Sequence, residues 1–523
     1  MKNKTLLLLL LIILTGAVLR FAFLASPSIR GDEGPALFMS ERPFGELWEN
    51  TKADSHPPLF YLVLRAVPKI GEILPYRLLV AILSIAAIPV AFLLGKKLFN
   101  ENVGLFSAFM FSISQMNIKY AQMVRSYSLI TLLAMLSIYF FISYLKDRKT
   151  SQITWWVVFS ALACWTHYFM LFVLVAEAAY ILSYHLKDKK LIKSFFFHGF
   201  LLVILIAPLA PLFQAQSATI KDVLAPIYQY NDPLLQPTLT TPIANNILVR
   251  NAMMFFHLSV GHTKFTPTVF FAVFFALTAL AFGLPLLANL KNLLKDKKTF
   301  LPLALFLSVP IFMSLMWITK FLIYHTYARY LLFVSPLYYL FISKGVFNLK
   351  NLIPKINLKK VVIVFAILIL ALNAVSLYGY YTSTLQHENF KYLTSKITGA
   401  GSEDVIIIHT GFYSQNIERT YKGEAQICLG PDGIKVGPDI TILDYLKSKK
   451  PATEENKCDI LKCTEGADNI WLMQNNPSVH DSEKLLKNCL ENNFKLENTY
   501  SNTYKNAQGE DETDFFLYEF TKQ

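Results

Sequence analysis

Up to Thr382 the chain is a series of long apolar runs separated by short clusters of lysine and arginine. The runs lie near 5–25, 76–95, 102–118, 128–145, 152–166, 168–186, 195–213, 267–290, 300–319, 330–346 and 361–382. Each approaches the ~20 mostly apolar residues that a helix needs to cross the hydrocarbon core of a bilayer. The pattern predicts a polytopic α-helical membrane protein with about eleven transmembrane helices. Pro57 to Val67 is apolar but only 11 residues long, so it predicts a re-entrant or interfacial helix in a long first loop. Pro57 and Pro58 suit the first turn of such a helix, with His56 just before it.

Beyond residue 383 the pattern changes to short apolar runs alternating with amphipathic stretches. Val405–Ile408, Ile470–Met473 and Phe515–Tyr518 predict strands, and Ile440–Ser448 and Ser482–Glu491 predict helices. The expected division is a membrane module over 1–383 and a soluble α/β domain over 384–523, the latter of ordinary domain size. Four of the five cysteines, Cys428, Cys458, Cys463 and Cys489, fall in the second part. Outside the membrane they predict one or two disulfides, with three possible full pairings. A zinc site is the competing reading, although neither a Cys-x-x-Cys pair nor a Cys-His cluster is present. Cys164, inside a span, is expected to be a small packing residue.

Charge sets the orientation. The N-terminus and the even-numbered connections hold 20 basic residues against four acids, whereas the first long connection, 26–75, sets seven acids against five bases. Lysine and arginine in short loops mark the cytoplasmic side. The N-terminus is therefore expected inside, and an odd number of spans places the C-terminal domain outside a plasma membrane. If the first run were instead a cleaved signal peptide, the later topology would be the same. The net charge of +13 on a soluble protein would point to nucleic acid, but here it is the remainder of +20 up to Thr382 and −7 after it. With 54% hydrophobic and 16% charged residues, the composition excludes a disordered chain and argues against an ordinary soluble enzyme.

That topology brings five polar clusters to the outer face: Arg30-Gly31-Asp32-Glu33-Gly34, Ser55-His56-Pro57-Pro58, Tyr120 to Tyr127 around Arg125, Trp165-Thr166-His167-Tyr168, and His325 to Tyr330 around Arg329. Taken singly, each has a structural reading as solvated charge, helix cap or interfacial anchor. Together their chemistry is complementary. A carboxylate can take the proton of an attacking hydroxyl, while arginine and histidine bind a departing phosphate. A phosphate at the outer surface with a lipid tail in the bilayer, as in a polyprenyl-phosphate sugar, suits that layout. Nucleotide phosphates are not expected there, and no Gly-rich phosphate loop is present. Glu177, an acid within a span, is expected to be a buried interhelical partner rather than a catalytic group.

The ordered series Arg20, Asp32-Glu33, His56-Pro57-Pro58-Leu59-x-Tyr61, Tyr120-Ala121-Gln122-x-x-Arg125-Ser126-Tyr127 and Thr166-His167-Tyr168 resembles the GT-C glycosyltransferases. Within them it is most similar to the branch with protein O-mannosyltransferases, the aminoarabinose transferase of lipid A and the Rgt-type sugar transferases. Tyr327 to Tyr330 resembles an Arg-Tyr element late in such modules. The resemblance implies a single inverting displacement at the anomeric carbon, with the lipid phosphate leaving. It implies Asp32 as general base, Glu33 as a neighbour orienting the acceptor or supporting a metal, and Arg125, Arg329 and His56 as donor phosphate or sugar contacts. Tyr127 and His167 would line the pocket. No clear metal ligand set is visible, so a divalent cation near Asp32 stays open and the cofactor is unassigned. The implied partners are a polyprenyl-phosphate sugar, a lipid, glycan or protein acceptor and the membrane lipids, with no nucleic acid. A transporter or flippase of a lipid-linked substrate is the alternative class, although transporters tend to show internal repeats and polar residues near the midplane, whereas here no fixed-period repeat is found and the polar clusters sit at outer span ends. A degenerate scaffold and an oligosaccharide transferase are further readings.

Overall fold

The computed structural model describes residues 3–68, 73–224, 246–261, 268–293, 296–318, 328–352, 357–384, 389–409, 414–437, 439–441, 444–445, 452–475, 484–505 and 511–522. Helices fill the first part: α1 Asn3–Phe21, α2 Glu33–Glu41, α3 Phe44–Thr51, α4 Leu59–Arg65, α5 Leu74–Leu98, α6 Glu101–Ile113, α7 Gln115–Ala121, α8 Tyr127–Asp147, α9 Thr150–Thr166, α10 Met170–Tyr184, α11 Lys189–Ile206 and α12 Leu209–Thr219. They continue with α13 Ile247–Val260, α14 Thr268–Thr278, α15 Leu284–Leu293, α16 Lys297–Ile318, α17 Ser335–Leu352 and α18 Leu358–Thr384.

Seven helical stretches among the described residues are long and apolar enough to cross a bilayer, or eight if the pair α11 and α12, bent by 52°, forms one span. The chain is a multi-pass membrane protein. All eleven expected runs are helical, but α6, α9 and α10 hold only 13, 17 and 15 residues. The run near 102–118 is interrupted because Ser114 takes an extended conformation, ends α6 and caps α7. Pro57–Val67 forms the seven-residue α4, about 10 Å long at 1.5 Å per residue and far too short to span. Helix α13 was not expected from the sequence.

Small residues and a few buried polar groups lock the bundle. A Cβ on Gly95 would lie 2.5 Å from the Gly104 Cα, so α5 and α6 meet backbone to backbone. Arg20, fully buried at the end of α1, donates to Ser84 on α5 (2.8 Å) and to the carbonyls of Ser112 (2.8 Å) and Phe111 (3.3 Å) at the end of α6. Glu177 on α10 accepts from the Trp156 indole on α9 at 2.9 Å, an interhelical contact of the expected kind.

The C-terminal part is a six-stranded sheet flanked by short helices. Its elements are α19 Phe390–Thr394, β1 Val405–His409, α20 Ser414–Thr420, β2 Gln426–Leu429, β3 Ile434–Lys435, β4 Asn469–Asn475, α21 Leu485–Glu491, β5 Phe494–Lys505 and β6 Asp511–Lys522. The strand order is β3-β2-β1-β4-β6-β5, with β1 parallel to both neighbours and β6 antiparallel to both of its own. The three expected strands are β1, β4 and part of β6. The expected helix near Ile440–Ser448 lies largely outside the described residues, and that near Ser482–Glu491 is represented by α21.

Two disulfides, Cys428–Cys463 and Cys458–Cys489, select one of the three pairings and leave no thiol for the alternative zinc site. Cys164 is buried and unbonded within α9. The sheet unit docks on the long first loop: Phe38 of α2 packs edge-on against Tyr445 (centroids 5.5 Å), and Arg419 of α20 pairs with Glu41 (3.0 Å).

Candidate active site

The adjacent acids of the first loop have different environments. Glu33 is fully buried. Its Oε1 accepts from Arg77 Nε (3.0 Å) and Val124 N (2.9 Å), and its Oε2 from Arg77 Nη2 (2.6 Å) and Arg30 N (2.8 Å). Arg77, on α5, also donates to the carbonyls of Leu24, Pro27 and Ser28. Burial pushes the Glu33 carboxyl up, but the Arg77 charge and hydrogen bond, with those of Arg30, outweigh it and hold the group below the usual carboxylate range. Glu33 and Arg77 thus tie the first loop to α5 and to the turn after α7.

Asp32 is partly exposed and faces two other elements. Its Oδ2 lies 3.2 Å from Arg329 Nη1, and its carbonyl accepts from Arg125 Nη1 at 3.3 Å. Arg329 belongs to the 3-10 turn Ala328–Val334 and lies over the Tyr330 ring at 5.6 Å. Tyr120 and Tyr127, with ring centroids 4.8 Å apart, pack with Ala328 beside it.

A second carboxylate joins the site. The Tyr61 hydroxyl donates to Asp54, and His56 Nδ1 lies 3.8 Å from it. Burial alone would raise Asp54, but the neighbouring His56, with Arg125 and the Tyr61 hydrogen bond, brings it down to about 2, so it is ionised at neutral pH. His56 meets His167 edge to face at 5.5 Å, and His167 lies 6.3 Å from Tyr330. Burial first, then the charges of His56 and Arg125, hold His167 well below its ordinary pKa. Its Nδ1 accepts from Phe169 N at 3.2 Å, which leaves the neutral ring's proton on Nε2.

All five sequence clusters contribute to one connected group of polar side chains. Asp32, His56, Arg125, Tyr127, His167 and Arg329 lie together, and Glu33 lies behind them in the buried tie. His325 to Tyr327 of the fifth cluster are outside the described residues. Asp54 lies one residue before the second sequence cluster, and Arg77 is an ionisable residue inside a predicted span, a position that carries information by default. Gln216 of α12 had no sequence signal: it accepts from Tyr168 (2.6 Å) and donates to the carbonyls of Thr51 (2.7 Å) and His56 (2.9 Å), fixing the His56 loop to the bundle. Gln122 likewise caps α1 by donating to Arg20 O (3.0 Å) and Ala22 O (2.8 Å), and accepts from Tyr380 of α18.

The donor set does not fit a cation site beside Asp32. Among the described residues no three His, Cys, Asp or Glu side chains are placed so as to hold a metal ion, Asp32 faces arginines, and both Glu33 oxygens are engaged.

Comparisons with known proteins bear on the fold that carries these residues. Residues 55–213 match the family model of dolichyl-phosphate-mannose-protein mannosyltransferases, a stretch holding His56, Arg125, Tyr127 and His167. No curated protein matches the chain by sequence. Among solved structures, ArnT from Cupriavidus metallidurans, bound to undecaprenyl phosphate, superposes with a TM-score of 0.54 at 11% identity, covering 97% of each chain. The oligosaccharyltransferase AglB from Archaeoglobus fulgidus, in complex with an inhibitory peptide and a dolichol-phosphate, gives 0.52 at 13% identity, covering 98% of this chain and 74% of AglB. Another AglB structure is a complex with Zn and sulfate. At these identities the likeness is one of fold. The chain has the GT-C fold that ArnT and AglB share, and its residues 55–213 carry the match to the mannosyltransferase family model.

Proposed function

We propose that this protein is a membrane glycosyltransferase that moves a sugar from a polyprenyl-phosphate donor to an acceptor hydroxyl on the outer face of the plasma membrane. The observation that carries the reading is the convergence of Asp32, Arg329, Arg125, Asp54, His56 and His167 from distant segments on one region of a GT-C fold. Residues 1–383 form the transferase module and 384–523 an extracytoplasmic domain. The N-terminus is cytoplasmic. The basic inner loops and the two disulfides support that orientation.

In the reaction the acceptor oxygen attacks the anomeric carbon while the carbon–oxygen bond to phosphate breaks, its electron pair leaving on the phosphate. The hydroxyl proton passes to the Asp32 carboxylate as the new bond forms, because an alcohol is too weak an acid to ionise beforehand. One well-placed base gives inversion. Arg329, which pairs with Asp32 at 3.2 Å, is drawn to the incoming phosphate together with Arg125. Loss of that partner makes Asp32 more basic at the moment it must accept a proton. His56, anchored by Asp54, contacts the donor, with His167 and Tyr127 lining the pocket. Glu33 positions the loop.

Purified protein, radiolabelled polyprenyl-phosphate sugars and membrane extract test the proposal against Asp32→Asn. Transfer by the wild type and none by the variant is expected. Undiminished transfer by the variant removes Asp32 as base. Lipid movement in vesicles without transfer from any donor indicates a transporter instead.

A further inference from the structure

The joint between α2 of the first loop and α20 of the sheet unit is incompletely paired at one end. Gln415 and Asn416 are 3% and 0% exposed, and none of their four amide atoms has a hydrogen-bond partner among the described residues. Sealed carboxamides normally find partners, and their lack here marks a network that something else completes. Their neighbour is Gly34, two residues from Asp32. A Cβ there would lie 2.3 Å from Asn416 Oδ1 and 3.2 Å from Gln415 Cβ, so only glycine permits the approach. The opposite end of α2 is firmly held, by Glu41–Arg419 and by Phe38 against Tyr445.

We propose that the inner end of this joint is the acceptor subsite, and that it parts to receive the uncharged hydroxyls of a saccharide. The inference rests on the glycosyl-transfer reading. Each carboxamide offers donors and an acceptor side by side, which matches adjacent hydroxyls that do the same. Neither amide residue carries charge, which suits a neutral ligand. A peptide adding as a strand needs a sheet edge. Helix α20 follows β1, which is central in the order β3-β2-β1-β4-β6-β5 and offers none. A saccharide seated between Gly34 and Asn416 would present a hydroxyl next to Asp32.

The test uses the full chain in nanodiscs, with mannotriose, the same trisaccharide on a lipid anchor and a threonine-containing peptide as separate probes. Gln415→Met and Asn416→Leu remove the amides at similar volume. Each is expected to raise the thermal midpoint, which also shows that the variant folds. Each is expected to weaken binding of both saccharide probes about tenfold, the loss of one hydrogen-bonding group, and to raise acceptor KM while donor KM holds. A difference between the two saccharide arms tells a free glycan from a lipid-linked one. The proposal falls if neither saccharide binds, if the substitutions leave saccharide affinity and acceptor KM unchanged, or if only the peptide binds. Saccharide binding that both substitutions abolish, in a protein that transfers nothing, would sink the reading of function and leave the subsite standing.

Discussion

Glu33 and Asp32 are adjacent in the chain and lie in two differently built regions. The tie around Glu33 is dry and saturated, with each carboxylate oxygen accepting two hydrogen bonds and Arg77 filling its remaining donors on backbone carbonyls. The region around Asp32 is partly open, and its ion pair with Arg329 has side chains 24% and 28% exposed. A saturated network holds a structure in place because every change leaves a buried charge without a partner. A partly open one can exchange partners, and proton or phosphate transfer requires that. On the proposed function the buried Glu33 holds the loop and the partly open Asp32 takes the proton, whereas the family resemblance gave Glu33 a role beside the acceptor or a metal.

The largest expected effect is on Asp32→Asn. Removing a general base should lower kcat by ~10²–10⁴-fold with the thermal midpoint nearly unchanged, as initial rates and a melting curve on one preparation would show. A large loss of stability instead would erase the contrast with Glu33.

Glu33→Gln should do the reverse. Leaving Arg77 buried without its anionic partner should cost ~3–5 kcal/mol of stability, read by denaturant or thermal unfolding in detergent. Activity of the folded fraction should survive. The sign with pH follows from the lowered carboxyl pKa. The stabilisation is fully present above the ordinary value of about 4.3 and is lost as pH falls through the lower folded value. Wild type should therefore lose stability on acidification through this range, and the variant should lose less.

Arg329→Lys keeps the charge and removes the fork, so kcat should fall by ~10–100-fold with folding intact. An unchanged kcat would take Arg329 out of the phosphate contact.

The smallest expected effect is on Glu177→Gln, which retains an acceptor for the Trp156 indole. Transfer should stay within about twofold of wild type, and a large loss would bring α9 and α10 into the catalytic account. Impermeant thiol labelling of intact cells checks the orientation of the whole comparison: Cys458 and Cys489 should label only after reduction. Labelling without reductant would argue against the disulfide, and no labelling even after reduction would argue against an external sheet unit.

Much of the site was legible because its residues fall in short motifs at the ends of apolar runs, where a charged or histidine side chain stands out from its surroundings. Asp54 was missed because a carboxylate in an acidic loop resembles solvated charge until Tyr61 and His56 are seen around it. Arg77 was missed because the run 76–95 is so apolar that one arginine near its start reads as a snorkelling end. Strands β2, β3 and β5 escaped notice because β2 and β3 are only four and two residues long and β5 carries few apolar positions.

The sequence by itself determined the membrane-embedded class, the change of composition near residue 383 and the set of groups available for chemistry. These follow from hydropathy and charge, which act residue by residue. Tertiary structure decided which of the paired acids is buried, which cysteines join, and that α20 rests on Gly34 beside Asp32. Those outcomes depend on contacts between segments far apart in the chain, from the 31 residues between Cys458 and Cys489 to the 297 that separate Asp32 from Arg329, and no local pattern encodes them.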